Sequence, residues 1–251
     1  NFNPDPPGFL IDADDPQRLY ALDASQRFNR SNDGGANWSL AGDNTPFDIA
    51  VTAMADVPGA GNVGSFYIAA RRAFGGPLLT EGGIFKSTDG GVSFAPAGTG
   101  LPPSGGMDDV AVDPDNPDLV IAVLREADIP GADPSVPGIW RSTDAGATWR
   151  KLDQGLPKVD LGRIGLAVSP VDPDIVYAIV EAAEKGSGFY RSLDGGWTWE
   201  KRSDYVATSP QYYQEIIADP KVEGRVYSMD TWMHVTEDGG KTFTKVGERF
   251  K

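Results

Sequence analysis

The chain has 251 residues, including 31 glycines, 20 prolines, one histidine and no cysteine. Its 36 acidic and 22 basic residues give a net charge of −14, which opposes binding to nucleic acid or to anionic membrane surfaces. These counts also exclude disulfides, thiolate catalysis, Cys-ligated zinc and any multi-histidine metal site, and no apolar run reaches the roughly 18 residues of a membrane helix.

In chain order, residues 1–7 could add a short strand, and a first repeat follows over 8–44. It holds an Asp15-Pro16 turn between apolar runs and then the segment Ser31-Asn-Asp33-Gly-Gly35-Ala-Asn37-Trp38. The second repeat, 45–101, has Asp56-Val-Pro58, a strand at Gly83–Lys86 and Ser87-Thr-Asp89-Gly-Gly91-Val-Ser93-Phe94. The third, 102–157, has Asp113-Pro114, Gly138–Arg141 and Ser142-Thr-Asp144-Ala-Gly146-Ala-Thr148-Trp149. The fourth, 158–206, has Ser169-Pro170, Gly188–Arg191 and Ser192-Leu-Asp194-Gly-Gly196-Trp-Thr198-Trp199. The fifth, 207–251, has Asp219-Pro220 and Thr236-Glu-Asp238-Gly-Gly240-Lys-Thr242-Phe243.

The five aspartates, Asp33, Asp89, Asp144, Asp194 and Asp238, lie 56, 55, 50 and 44 residues apart. A repeat of that period marks a propeller or solenoid. Each segment combines a hydroxyl and a carboxylate that close a turn on backbone N–H groups, a glycine for positive φ and a large apolar ring. Five copies argue for a structural role, since an active site needs one constellation. β-Branched apolar runs bounded by Pro/Asp turns read as strands. Four strands per repeat predict an all-β propeller of five four-stranded blades, with the motif between third and fourth strands.

The motif is the Asp box, or BNR repeat, and the chain resembles the Asp-box β-propeller superfamily. That superfamily includes sialidases, sortilin-type receptors, oligoxyloglucan-type hydrolases and bacterial glycosyl-hydrolase propellers. The resemblance implies that the boxes lie away from the ligand-binding face. The expected function is an exported, non-catalytic binding or scaffold domain that recognises a glycan or protein on its loop face; the alternatives are a glycoside hydrolase or its propeller part, and a structural assembly subunit that forms homo-oligomers. A secreted, periplasmic or cell-surface bacterial protein is expected. The chain is either a closed five-blade ring or part of a larger propeller.

Function is expected on the unequal loops of the face opposite the boxes. Candidate catalytic groups are Asp108, Asp109, Tyr213 and Glu215, with Asp48 and Asp230 as further carboxylates. Candidate binding groups are Arg71, Arg72, Arg125, Glu126, Arg163, Tyr212 and Trp232, beside Gln214 and Tyr205. Carboxylates serve acid–base work and arginines anionic groups; the aromatic rings could stack on sugars or fill the gap between blades. A sialidase needs three arginines, for which Arg71, Arg125 and Arg163 are available, but the Arg-Ile-Pro segment common in that family is missing. His234 reads as structural. Asp113-Pro-Asp115-Asn-Pro-Asp118 could offer oxygens to calcium, but its place in a recurring turn favours a plain turn. No cofactor or metal is expected.

Overall fold

The computed structural model describes residues 9–23, 27–41, 49–59, 64–72, 83–102, 106–124, 137–210 and 214–247, with only the backbone for residues 9, 49, 50, 71 and 72. The expected strand at 1–7 lies outside these residues. Blade 1 is β1 (Phe9–Ile11), β2 (Leu19–Leu22), β3 (Phe28–Ser31) and β4 (Ser39–Leu40). Blade 2 is β5 (Ile49–Asp56), β6 (Phe66–Arg72), β7 (Gly83–Ser87) and β8 (Ala95–Pro96). Blade 3 is β9 (Met107–Val112), β10 (Val120–Leu124), β11 (Gly138–Ser142) and β12 (Arg150–Leu152). Blade 4 is β13 (Leu161–Val168), β14 (Val176–Ala182), β15 (Gly188–Ser192) and β16 (Glu200–Ser203). Blade 5 is β17 (Glu215–Ala218), β18 (Val226–Met229), β19 (His234–Thr236) and β20 (Thr244–Lys245).

Each blade is an antiparallel sheet whose strands pair in sequence order. The innermost strands lie against one another in turn, β1 on β5, β5 on β9, β9 on β13 and β13 on β17. The fold is therefore a five-bladed propeller. Strand two of the middle blades is covered on both faces, so β10 is buried at every residue and reads as an unbroken apolar run. Outer strands are short and exposed: both residues of β4 and of β8 face solvent. Short outer strands limit the unpaired edge that a sheet offers to other chains.

All five boxes close in one way. In blade 4 the Ser192 hydroxyl donates to Asp194 Oδ1 at 2.7 Å and accepts from Gly196 N at 2.8 Å. Thr198 N and Oγ1 donate to the two oxygens of Asp194 at 2.8 and 2.7 Å. Blade 1 substitutes Asn37, whose Nδ2 donates to Asp33 Oδ2 at 2.7 Å. Donation from the Asn37 side chain and backbone, then from Ser31, pulls the Asp33 carboxyl down to about 2. At Asp238 burial pushes the other way, but donors from Thr242, Thr236 and Lys241 outweigh it and hold the group at about 2. These aspartates are ionised wherever the protein is folded at neutral pH. They are turn staples, as their repetition suggests.

The turn between strands one and two is stapled as well. Asp113 Oδ1 accepts from Asp115 N and Asn116 N at 2.8 and 3.0 Å, and Asp12 and Asp219 repeat the arrangement. Asp113–Asp118 is thus the plain turn that its sequence favours.

In blades 2–5 each blade meets the one before it through the second glycine and the closing ring of its box. A Cβ on Gly196 would lie 3.3 Å from Leu152 of the preceding blade, and one on Gly146 3.0 Å from Ala97 O. At Gly240 the neighbour is the Phe189 ring, 2.1 Å from a built Cβ. The closing rings follow into the same gap: Phe94 sits 4.9 Å from Phe28 and Phe243 5.1 Å from Phe189. Trp149 Nε1 donates to Ala97 O at 2.9 Å, and Tyr67 donates across to Ala145 O at 2.9 Å. Burial of each such side chain contributes about 1.5–3 kcal/mol.

Gly240 and Gly59 separate conformational strain from packing. Both have positive φ, +91° and +73°, but nothing lies within 4 Å of a Cβ at Gly59. Gly59→Ala is expected to cost about 1 kcal/mol, the left-handed penalty alone. Gly240→Ala must also displace Phe189 and is expected to cost about 2–4 kcal/mol. Thermal unfolding of the two variants checks the difference.

Candidate functional site

The inner ends of the axial strands build the site. Three of them carry irregular register at that end: between Val51 and Ala53 in β5, between Met107 and Asp109 in β9, and between Leu161 and Ile164 in β13. A bulge leaves its extra residue out of the ladder and re-aims its side chain. Thr52 and Asp108 are such residues, and Arg163 lies in the third irregularity. The Thr52 hydroxyl donates to Met107 O at 2.7 Å and so ties β5 to β9.

Asp109 ties the next pair of blades. Its Oδ1 accepts from Val110 N at 2.8 Å, and its Oδ2 accepts from Leu166 N of β13 at 2.8 Å. Part of the residue's surface reaches solvent, but its carboxyl group is enclosed. Burial pushes that carboxyl up to about 7, against the two N–H donors, and the charges of Glu215 and Asp108 add to the rise. Asp108 itself is buried.

Gln214 continues the stitching, with Nε2 donating to Arg163 O at 3.2 Å. It is 1% exposed, and its Oε1 has no hydrogen-bond partner among the described residues. Glu215, next in the chain, is exposed. Arg163 N donates to Glu181 Oε2 at 3.1 Å, which brings a further carboxylate to the rim. Asp108, Asp109, Arg163 and Glu215 thus belong to one axial wall. Thr52 and Glu181 join it without having been nominated; the signal for Thr52 is one hydroxyl inside the apolar run of β5.

Trp232 lies in the β18–β19 loop, 61% exposed, with Lys245 Nζ 3.7 Å from its ring centroid. Asp230 anchors that loop, accepting from Thr208 N and Oγ1 at 3.1 and 2.7 Å. Burial at Asp230 works toward protonation, but these donors outweigh it and the carboxyl falls below its ordinary range. Tyr205 is not part of a surface group with Trp232. It stacks on Phe243 at 3.7 Å and 8°, with His234 at 5.6 Å, and fills the gap between blades 4 and 5. Asp48, Arg125, Glu126, Tyr212 and Tyr213 lie outside the described residues, and Arg71 and Arg72 are described only as the backbone that ends β6.

Among the described residues no group of three or more His, Asp or Glu is placed to hold a metal. No described helix is long and apolar enough to cross a membrane.

No protein-family model matches the chain. Over 208 residues, 82% of its length, it is 31% identical to a xyloglucanase of a Paenibacillus species. The chain is a β-propeller related to the xyloglucanase propellers. Over 109 residues, 41% of the chain, it is 37% identical to a xyloglucanase of Hypocrea jecorina (strain QM6a). The matched stretches span 18% and 12% of those relatives. Among solved structures, the Niastella koreensis GH74 enzyme superposes on 92% of the chain and over 36% of its own, with TM-score 0.64 and 19% identity. YCF48 from Cyanidioschyzon merolae superposes on 98% of the chain and over 85% of its own, with TM-score 0.51 and 13% identity. At these identities the two structures report the fold alone.

Asp109 gives this propeller a pH dependence of definite sign. Its folded pKa is raised to about 7, above an unfolded value of about 3.9. The folded state therefore holds the proton more tightly. The stability this contributes is complete below pH ~4 and is lost as pH rises through 7, on the order of a few kcal/mol. Asp109→Asn cannot titrate. The difference in melting temperature between the native chain and this variant should shift in the variant's favour from pH 5 to pH 8; a difference constant with pH would refute the assignment.

Proposed function

We propose that the chain is a glycan-binding propeller lobe of a xyloglucanase-type protein, with its ligand on the face opposite the boxes. The 31% identity to the Paenibacillus xyloglucanase across 82% of the chain carries this reading. The axial wall supports it chemically. Arg163 and Glu215 supply polar groups for sugar hydroxyls, and the exposed Trp232 ring, held by Lys245, supplies a flat apolar surface. This extends the expectation of a binding domain toward a part of a glycoside hydrolase.

Hydrolysis by this chain is the second reading, and one observation favours it. Asp109 and Glu215 are neighbouring carboxyls in opposed environments, one enclosed and raised to about 7, the other exposed. Raising one carboxyl of a pair by enclosure is one way a glycosidase obtains its acid. Both oxygens of Asp109 are engaged by backbone N–H groups, so Glu215 is the carboxylate free to meet a substrate.

Titration of the chain with soluble xyloglucan, followed by calorimetry and tryptophan fluorescence, tests the first reading. Saturable binding is expected, and Trp232→Ala should weaken it tenfold or more, about 1.4 kcal/mol. Failure of xyloglucan to bind at millimolar oligosaccharide concentration would overturn the assignment. Release of reducing sugar in the same mixture, abolished by Glu215→Gln, would mark the chain as a hydrolase.

A further inference from the structure

Among the described residues, three other than glycine have positive φ: Ala145 at 53°, Glu184 at 51° and Lys185 at 66°. Ala145 stands where the other four boxes have glycine, so its backbone is set by the box. Glu184 and Lys185 have no such template. They are the two central residues of the β14–β15 turn on the loop face, closed by Gly186 N donating to Ala183 O at 2.8 Å. Positive φ at both central positions with that hydrogen bond makes a type I′ turn, which favours Asn-Gly or Gly-Gly. A Cβ crowds its own residue's carbonyl in this conformation, and two long side chains in succession are seldom kept there.

The surroundings hold the turn in this shape. Ala183 N donates to Asp160 O at 2.9 Å. Ser187 Oγ accepts from Ala182 N and donates to Ala182 O, both at 2.8 Å. The Tyr190 hydroxyl donates to Gly186 O at 2.6 Å, and Lys201 Nζ donates to Lys185 O at 3.0 Å. A Cβ on Gly186 would lie 2.9 Å from Pro157, so the turn is also wedged against the chain that enters blade 4. All of these contacts fix the backbone. The side chains of Glu184 and Lys185 are exposed, and neither makes a hydrogen bond or salt bridge with another described residue.

We propose that Glu184 and Lys185 form a ligand clamp at the rim of the axial wall, taking hydroxyl groups of a bound glycan. The proposal rests on the glycan-binding reading given above. Backbone strain of this kind gathers at ligand clamps, where the surrounding structure over-determines it. Asn-Gly would make the same turn with less strain, so the strain is kept for what the two side chains do. The turn follows closely on Glu181, whose carboxylate accepts from Arg163 N, and so borders the wall. A carboxylate accepts from sugar hydroxyls and an ammonium donates to them, with the added strength of a charged partner. Side by side their charges cancel, which suits a neutral polyol and gives no net attraction to an acidic one.

The test exchanges the pair in two ways. Glu184→Asn with Lys185→Gly relieves the turn and removes both charges. This variant should melt about 2–4 °C higher than the native chain, and its affinity for xyloglucan oligosaccharide should fall about tenfold. Glu184→Ala with Lys185→Ala keeps a Cβ at both positions and so keeps the strain. It should melt near the native temperature and lose the same affinity. A relieved variant that melts higher but binds like the native chain would overturn the proposal, because the strain would then serve nothing at the site. A relieved variant that melts no higher would overturn it as well, since the pair would carry no strain. Affinity kept by the alanine pair would do the same by removing the side chains from the contact. Binding by the native chain separates this proposal from the reading beneath it. No native binding removes both, whereas native binding that neither exchange weakens removes the clamp alone.

Discussion

The fold depends on how closely one blade can approach the next. At the seam between blades 4 and 5 the limit is set by Gly240, whose missing Cβ leaves room for the Phe189 ring. Box glycines of blades 2, 3 and 4 meet Ala41 of blade 1, Ala97 of blade 2 and Leu152 of blade 3 in the same way. Because the box hydroxyl and carboxylate fix the turn, the glycine arrives at a set distance and the aromatic ring behind it closes the gap. Local hydrogen bonding and the long-range seam are thus one device. A change in the turn is felt in the neighbouring blade.

The acidic composition hides two opposite environments for one residue type. In the boxes aspartate is surrounded by donors and stays charged down to about pH 2 at Asp33 and Asp238. At the axis Asp109 also accepts two N–H groups, but burial and the charges of Glu215 and Asp108 prevail and raise it to about 7. The number of donors does not decide the outcome; enclosure and neighbouring charge do. The turn carboxylates make the scaffold insensitive to mild acid, and the axial carboxylate responds near neutrality.

Five blades, their four strands and the placement of the boxes were legible because a repeated turn leaves a repeated spelling. The axial wall was legible in part. Asp108, Asp109, Arg163 and Glu215 stood out as polar residues at the start of apolar runs, and the structure brings them to one wall. Thr52 and Glu181 were not legible, since a hydroxyl or an acid inside a strand is common and only the bulges give them direction. For Tyr205 the gap-filling reading of the aromatic group is the one that holds. Its stacking on Phe243, 38 positions away, follows from blade packing and not from local pattern. No residue pattern singled out one member of the Asp-box superfamily, and the relation to xyloglucanases came from the Paenibacillus and Hypocrea relatives.

The register breaks at the inner ends of β5, β9 and β13 have an evolutionary consequence. A residue in a ladder is constrained on both sides by its pairing partners, and a change there disturbs the neighbouring strand. A residue set outside the ladder is released from that constraint. Asp108 and Arg163 can therefore be exchanged while the blades keep their register, whereas Thr52 also holds β9 through its hydroxyl, so part of the axial lining can diverge faster than the sheets that hold it. Among related propellers, ligand preference can then drift over an unchanged frame, and sequence identity across the strands will overstate agreement at the rim.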